Sequence, residues 1–236
     1  MKILAIDTSS KICSVSILEN DKPIIENHND DEKTHSQKLM PIIDKTFKQA
    51  NLTLDDIDLI VCCQGPGSFT GIRIGISTVK AFADVKNIPI IGVTSLESLA
   101  YNIKTNGLIA SIIDAKHDNV YFALFEKNNT SYKIVESSIS CNINAVIELL
   151  KKYSNNSITF VGDGSVVHSN LLKENLTNIN FASDEQNMQT SISLGIAGLA
   201  KYNLANYSPT FTVSPIYLKK SEAEINLEKK NLIKGD

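Results

Sequence analysis

The sequence lacks most of what marks a membrane anchor, an autonomous nucleic-acid binder or a catalytic centre. No apolar run reaches the roughly 18 residues that a membrane span needs. Met1-Lys2 leads straight into an apolar stretch with no signal-peptide pattern, so a cytosolic protein without membrane contact is expected. The 23 Lys and Arg against 26 Asp and Glu leave a formal charge of −3. Phosphate-driven binding draws on surplus cations, so any RNA role requires a partner. Cys13, Cys62, Cys63 and Cys141 show no C-x-x-C spacing and read as reduced thiols. His28, His35, His117 and His168 include no H-x-x-x-H pair, there is no G-x-S-x-G elbow, and Ser68 has no base visible in the sequence. Neither a metal centre nor a nucleophile is expected.

Arginine is scarcer still. Against 22 lysines there is one, Arg73, and it lies in the run Gly65-Pro66-Gly67-Ser68-Phe69-Thr70-Gly71-Ile72-Arg73-Ile74-Gly75. This run joins an apolar strand over 59–63 to an apolar helical segment over 70–85. A glycine turn at such a junction directs backbone N–H groups outward and admits an anion closely, and a guanidinium fork suits a phosphate. The other reading is a turn that needs glycine for its own geometry. A P-loop is excluded because Ile72-Arg73 follow Gly71 where Lys-Ser/Thr is required. The G-x-G-x-x-x-G spacing, with no acid at the tip of the next strand (88–93), sets aside the dinucleotide fingerprint.

The chain repeats itself. Ile6-Asp7-Thr8, a turn, an alternating strand over 12–18, a turn at 19–22 and a strand over 23–27 match Ile113-Asp114-Ala115, a turn, and strands over 120–125 and 132–136. Each set leads into a helix (34–50; 144–153) and a further strand ending in glycines (59–63 before Gly65; 158–161 before Gly162). The expected fold is therefore α/β, a duplicated β-β-β-α-β-α unit in two lobes, 1–107 and 108–218, with a charged tail over 219–236.

Thr34-His35-Ser36-Gln37 and Thr94-Ser95-Leu96-Glu97 both fit a capping box. Pro41 either kinks the first helix or marks its true first turn. Leu39, Met40, Ile43, Phe47 and Ala50 form a stripe that would face the sheet. The 70–85 helix is apolar on two sides, with Ile72, Ile76, Val79 and Ala83 on one and Ile74, Ala81 and Val85 on another. Its second side must be covered by a neighbouring helix or by another protein, and Gly71 and Gly75 would allow a helix to approach closely. Asp7 could hold a metal-bound water, with Thr8 and Ser9 donating to phosphates, or Asp7 and Asp114 could simply cap their own turns.

These motifs resemble the TsaB family, also called YeaZ, the bacterial partner of TsaD in making threonylcarbamoyladenosine in tRNA. The resemblance rests on Ile6-Asp7-Thr8-Ser9, His35-Ser36 with Leu39 and Pro41, the 65–75 run, Val93-Thr94-Ser95-Leu96-Glu97 and Pro215-Ile216-Tyr217-Leu218. It implies the fold shared by actin, sugar kinases and Hsp70. It also implies a non-catalytic copy of TsaD, because Ser95 and Leu99 stand where the catalytic relative carries its metal-binding histidines. The partners it implies are TsaD and TsaE, with tRNA met only through the complex and a homodimer in isolation. The pairing face would come from Leu39, Met40, Ile43 and Phe47 of one helix and Gly71, Ile72, Gly75, Ile76 and Val79 of the other. No tightly bound cofactor is implied, but ATP or ADP with Mg at the complex interface would meet Asp7, Thr8, Ser9, Gly65, Gly67 and Arg73. Asp114-Ala115-Lys116 and Lys219 depart from the family, which often has arginine at the last position of each motif. The alternative is an independent phosphotransferase of the same fold with Asp7 or Asp114 as its carboxylate. A metalloprotease would need the missing histidine pair.

Overall fold

The computed structural model describes residues 1–29, 34–204 and 213–219. The first half builds β1 (Lys2–Asp7), β2 (Cys13–Glu19), β3 (Lys22–Asn29), α1 (His35–Ala50), β4 (Leu59–Cys63), α2 (Phe69–Lys86), β5 (Ile90–Val93) and α3 (Ser95–Ala100). The second builds β6 (Gly107–Asp114), β7 (Asn119–Asn128), β8 (Ser131–Asn142), α4 (Ile143–Leu150), β9 (Ile158–Val161), α5 (Asp163–Val167), α6 (Ser169–Asn175), β10 (Ile179–Phe181) and α7 (Ser191–Leu204). The two sheets run β3-β2-β1-β4-β5 and β8-β7-β6-β9-β10. In each, the first three strands of the half pair antiparallel and the last two add parallel. The duplicated unit is present, with a fifth strand added to each copy.

Strand β1 reads as an unbroken apolar run because both of its faces are buried. Leu4 and Ile6 join Ile60, Cys62, Leu39 and Ile72 beneath α1 and α2. Ile3 and Ala5 join Val61, Cys63, Leu194 and Ala197 beneath α7. Adjacent Cys62 and Cys63 thus point to opposite faces, as strand geometry requires.

That second cover corrects the expected division of the chain. The boundary at 107/108 falls at the first residues of β6, but the segment 108–218 is not a unit. From Ser191 the chain returns to the first lobe and lays α7 on its sheet, where Gly195 lets the helix come within contact of Ala5 and Leu18. In exchange, α3 covers the second sheet, with Leu96, Leu99 and Ala100 packed among Ile109, Tyr121, Ala123 and Phe125. A sheet apolar on both faces needs two covers, and each half lends the other one. Lys201 and Glu97 join the two lent helices at 2.8 Å. Residues 220–236 of the expected tail lie outside the described residues.

Both capping boxes form: the Thr34 N–H donates to Gln37 Oε1 at 3.1 Å, and the Thr94 and Glu97 N–H groups bond each other's side chains at 2.8 and 3.1 Å. Helix α1 continues through Pro41, so Pro41 is not its first turn. Strand β8 runs beyond the expected 132–136 as far as Asn142, with irregular pairing opposite Phe122 and Leu124 along the way.

Candidate functional site

Strand β1 ends at Asp7, where the chain turns through Thr8, Ser9 and Ser10 into β2. Strand β4 delivers the glycine run to the same place. Gly65 has φ +92°, and its peptide bond to Pro66 is cis. A Cβ at Gly67 would overlap the Ser9 carbonyl, one at Gly71 the Thr8 carbonyl, and one at Gly75 the Thr8 hydroxyl. Thr8 Oγ1 donates to the Gly71 carbonyl at 2.7 Å, and the Ser68 N–H donates to the Ser9 carbonyl at 2.7 Å. The glycines therefore fasten the start of α2 onto the β1–β2 turn. They do not form an open cradle, and Gly71 and Gly75 admit this turn instead of a second helix. Ser68 caps α2 by accepting from the Gly71 N–H at 3.2 Å.

Asp7 lies below this junction, 1 % exposed. Its Oδ1 accepts from the Ser9 N–H at 2.8 Å and Ser9 Oγ at 2.7 Å, while Oδ2 is buried with no hydrogen bond. Burial raises its pKa above 3.8, and the Ser9 bonds, the Cys63 thiol and the His35 charge offset this only in part. Ser95 Oγ donates to the Pro66 carbonyl at 2.7 Å and lies 3.2 Å from both Ser9 Oγ and Cys63 Sγ. A sealed polar chain thus joins β1, the glycine run and α3. Burial pushes Cys13 and Cys62 up to about 12 and Cys63 well above 9.0, so these thiols are unreactive.

Above the chain, a cleft of about 710 Å³ separates the lobes. Ser9, Ser10, Lys11, His35 and Gly67 line it on one side; Asp114, Lys116, Tyr121 and Asp163 line it on the other. Of the six residues expected at a nucleotide, only Ser9 and Gly67 border the cleft. Asp7, Thr8 and Gly65 are buried behind it, and Arg73 lies outside it with its Nε donating to Tyr217 Oη at 2.6 Å. On the facing wall, Asp114 accepts from the Lys116 N–H at 2.9 Å and from Lys116 Nζ at 2.7 Å. Burial acts to raise Asp114, but the Lys116 hydrogen bonds and charge outweigh it and hold the carboxyl below 3.8. Both aspartates cap their own turns, which is the simpler of the two sequence readings. With Asp7 sealed and Asp114 engaged, these residues do not fit a Mg-nucleotide in this arrangement. Asn187, Met188 and Gln189 also line the cleft. No local motif marks them, because only the return of the chain toward α7 brings them there.

The expected partner face divides in two. Leu39, Ile43, Ile72, Ile76 and Val79 are buried in the core of the first lobe, and Gly71 and Gly75 lie on Thr8. Little of them is open at the surface, because the strongest apolar row of each helix is drawn to the sheet; of these residues Ile43 alone also borders the groove between the two helices. Met40 is 51 % exposed and Phe47 half-buried. On the second side of α2, Ile74 and Phe82 are half-buried and Val85 is 77 % exposed. No described element covers that side fully. Met40, Phe47, Leu52, Leu54 and Phe82 line a groove of about 620 Å³ between the two helices.

A family model described as "TsaD: tRNA N6-adenosine threonylcarbamoyltransferase" matches residues 28–227. The tRNA threonylcarbamoyladenosine biosynthesis protein TsaB of Bacillus subtilis is 31 % identical over 95 % of this chain and 96 % of its own. YeaZ from Pseudomonas aeruginosa superposes with a TM-score of 0.73 at 22 % identity, covering 92 % of this chain and 99 % of its own. A ROK hexokinase from Thermus thermophilus shares the two-lobed architecture with a TM-score of 0.51 at 8 % identity, covering 87 % of this chain and all of its own. The fold is that of actin, sugar kinases and Hsp70, and the chain belongs to the TsaB (YeaZ) family.

Proposed function

We propose that this chain is the non-catalytic partner of TsaD in tRNA threonylcarbamoyladenosine synthesis. It pairs with TsaD and organises it for transfer of the threonylcarbamoyl group from its adenylate to N6 of the adenosine beside the anticodon. The observation that carries this reading is the uncovered apolar side of α2, continuous with Met40 and Phe47 of α1. Such a surface stays wet in the isolated chain and becomes dry against a helix pair of similar shape. A partner of related fold makes the face nearly self-complementary, so the chain homodimerises when TsaD is absent.

Ser95 and Leu99 support the non-catalytic part of the reading. Ser95 is spent on the sealed chain beneath the cleft, and Leu99 presents only carbon to it. The two carboxylates on which an independent phosphotransferase would draw are both engaged: Asp7 is sealed behind the cleft with Ser9 on its Oδ1, and Asp114, on the cleft wall, is paired with Lys116. In this reading TsaE meets the first turns of α2, and tRNA is held by the assembled complex in the cytoplasm. Sedimentation of this chain with TsaD tests the pairing. A heterodimer that Met40→Asp weakens is expected, and two species that sediment independently would contradict it.

A further inference from the structure

We propose that residues 213–219 form a clasp across the seam between the lobes, and that Arg73 and Tyr217 are its latch. This joins Arg73 to the Pro215-Ile216-Tyr217-Leu218 motif, neither of which borders the cleft. Val213, 7 % exposed, sits in the first-lobe core beneath α1 and α2. Gln64, the residue before the glycine run, then grips the strap twice: its Nε2 donates to the Ser214 carbonyl at 2.8 Å, and its own carbonyl accepts from the Ile216 N–H at 2.8 Å. Gly92 leaves the room in β5 that the Gln64 side chain occupies.

One residue on, the Tyr217 ring stacks on Phe69 with centroids 4.6 Å apart and planes within 5°. Arg73 closes over the same ring, its guanidinium carbon 5.4 Å from the centroid and its Nε donating to the tyrosine oxygen at 2.6 Å. Leu218 then packs on the cluster of the second sheet that holds Leu99, Ile113 and Tyr121, three residues that line the cleft. Within six residues the chain thus runs from the core of one lobe to that of the other. Any widening of the cleft must break either the latch or the Leu218 contact.

The latch also accounts for the single arginine. A guanidinium can lie over a ring and donate from Nε to that ring's hydroxyl, whereas a lysine ammonium on a flexible stem cannot do both. The proposal does not depend on TsaD pairing, because the clasp is internal to the chain.

Hydrogen–deuterium exchange on the full isolated chain tests it, comparing wild type with Tyr217→Ala and the milder Arg73→Lys. An unchanged circular dichroism spectrum would establish that each variant is folded. Loss of the stack and its hydrogen bond is expected to speed exchange about tenfold in Tyr217→Ala, both at the Ile216 amide and across β6 and α3 at the seam. Arg73→Lys is expected to move the same segments in the same order by less. Wild-type exchange at Ile216 would overturn the latch. Fast exchange at Ile216 with β6 and α3 unmoved would overturn the clasp, leaving the strap a local appendage.

Discussion

Thr8 and Gly71 hold each other from both sides. The Thr8 hydroxyl donates to the Gly71 carbonyl at 2.7 Å, and the Thr8 carbonyl fills the space that a side chain on Gly71 would need. The glycine signature is therefore a fastening between α2 and the β1–β2 turn, and its first consequence is for stability. Gly71→Ala is expected to cost about 3 kcal/mol, the upper range for forcing extra volume into a packed site. Urea unfolding measures this, and an alanine variant as stable as wild type would refute the fastening.

Ser95 serves the same junction from α3. Ser95→Ala leaves the Pro66 carbonyl without its donor in a buried setting, at a cost of about 1–3 kcal/mol. The same unfolding experiment reads the loss, and a shift below about 0.5 kcal/mol, the range of ordinary surface substitutions, would mean that the sealed chain contributes nothing.

Asp7 gives the fold a pH signature. Its folded pKa lies above the ordinary 3.8, so the protonated form is favoured on folding. The resulting stabilisation is fully present below 3.8 and is lost as pH rises through the raised folded value. Asp7→Asn keeps an oxygen for the two Ser9 donors and removes the ionisation. Stability measured against pH is therefore expected to fall over that window in wild type and to lose this component in the variant, leaving the variant the more stable at pH 7. A wild-type profile unaltered by the substitution would contradict this.

The division of α1 into core and surface rows separates two aspartate substitutions one residue apart. Leu39→Asp buries a charge in the first-lobe core and is expected to cost more than about 4 kcal/mol, in effect the fold. Met40→Asp places the charge in water, is expected to leave the melting temperature unchanged, and weakens TsaD pairing by about tenfold or more. Calorimetric melting and sedimentation distinguish them, and full pairing by folded Met40→Asp would remove this residue from the face.

The order of elements along the chain, the duplication and both capping boxes were legible because they rest on local signals: apolar runs, Thr-x-x-Gln and Thr-x-x-Glu, and the repeated spacing from Asp7 and Asp114. The assignment of α7 to the first lobe was not, since Ser191–Leu204 is apolar on most sides and gives no sign of which sheet it covers. The exposed apolar row of α1 and α2 was half legible. Periodicity marks α2 as needing two covers, but which row the sheet claims depends on the tilt of the helix. The sequence left Asp7 between ligand and turn cap because strand-end aspartates that cap turns and those that hold water carry the same pattern, and only its depth and its bonds to Ser9 separate them.

The account rests on this chain supporting a transfer that it does not itself catalyse. The most direct measurement is threonylcarbamoyl incorporation into tRNA by TsaD, TsaE and the adenylate-forming enzyme, with and without the chain. The account predicts incorporation that depends on the chain, falls with Met40→Asp, and is absent when the chain replaces TsaD. Incorporation at the same rate without it would contradict the account.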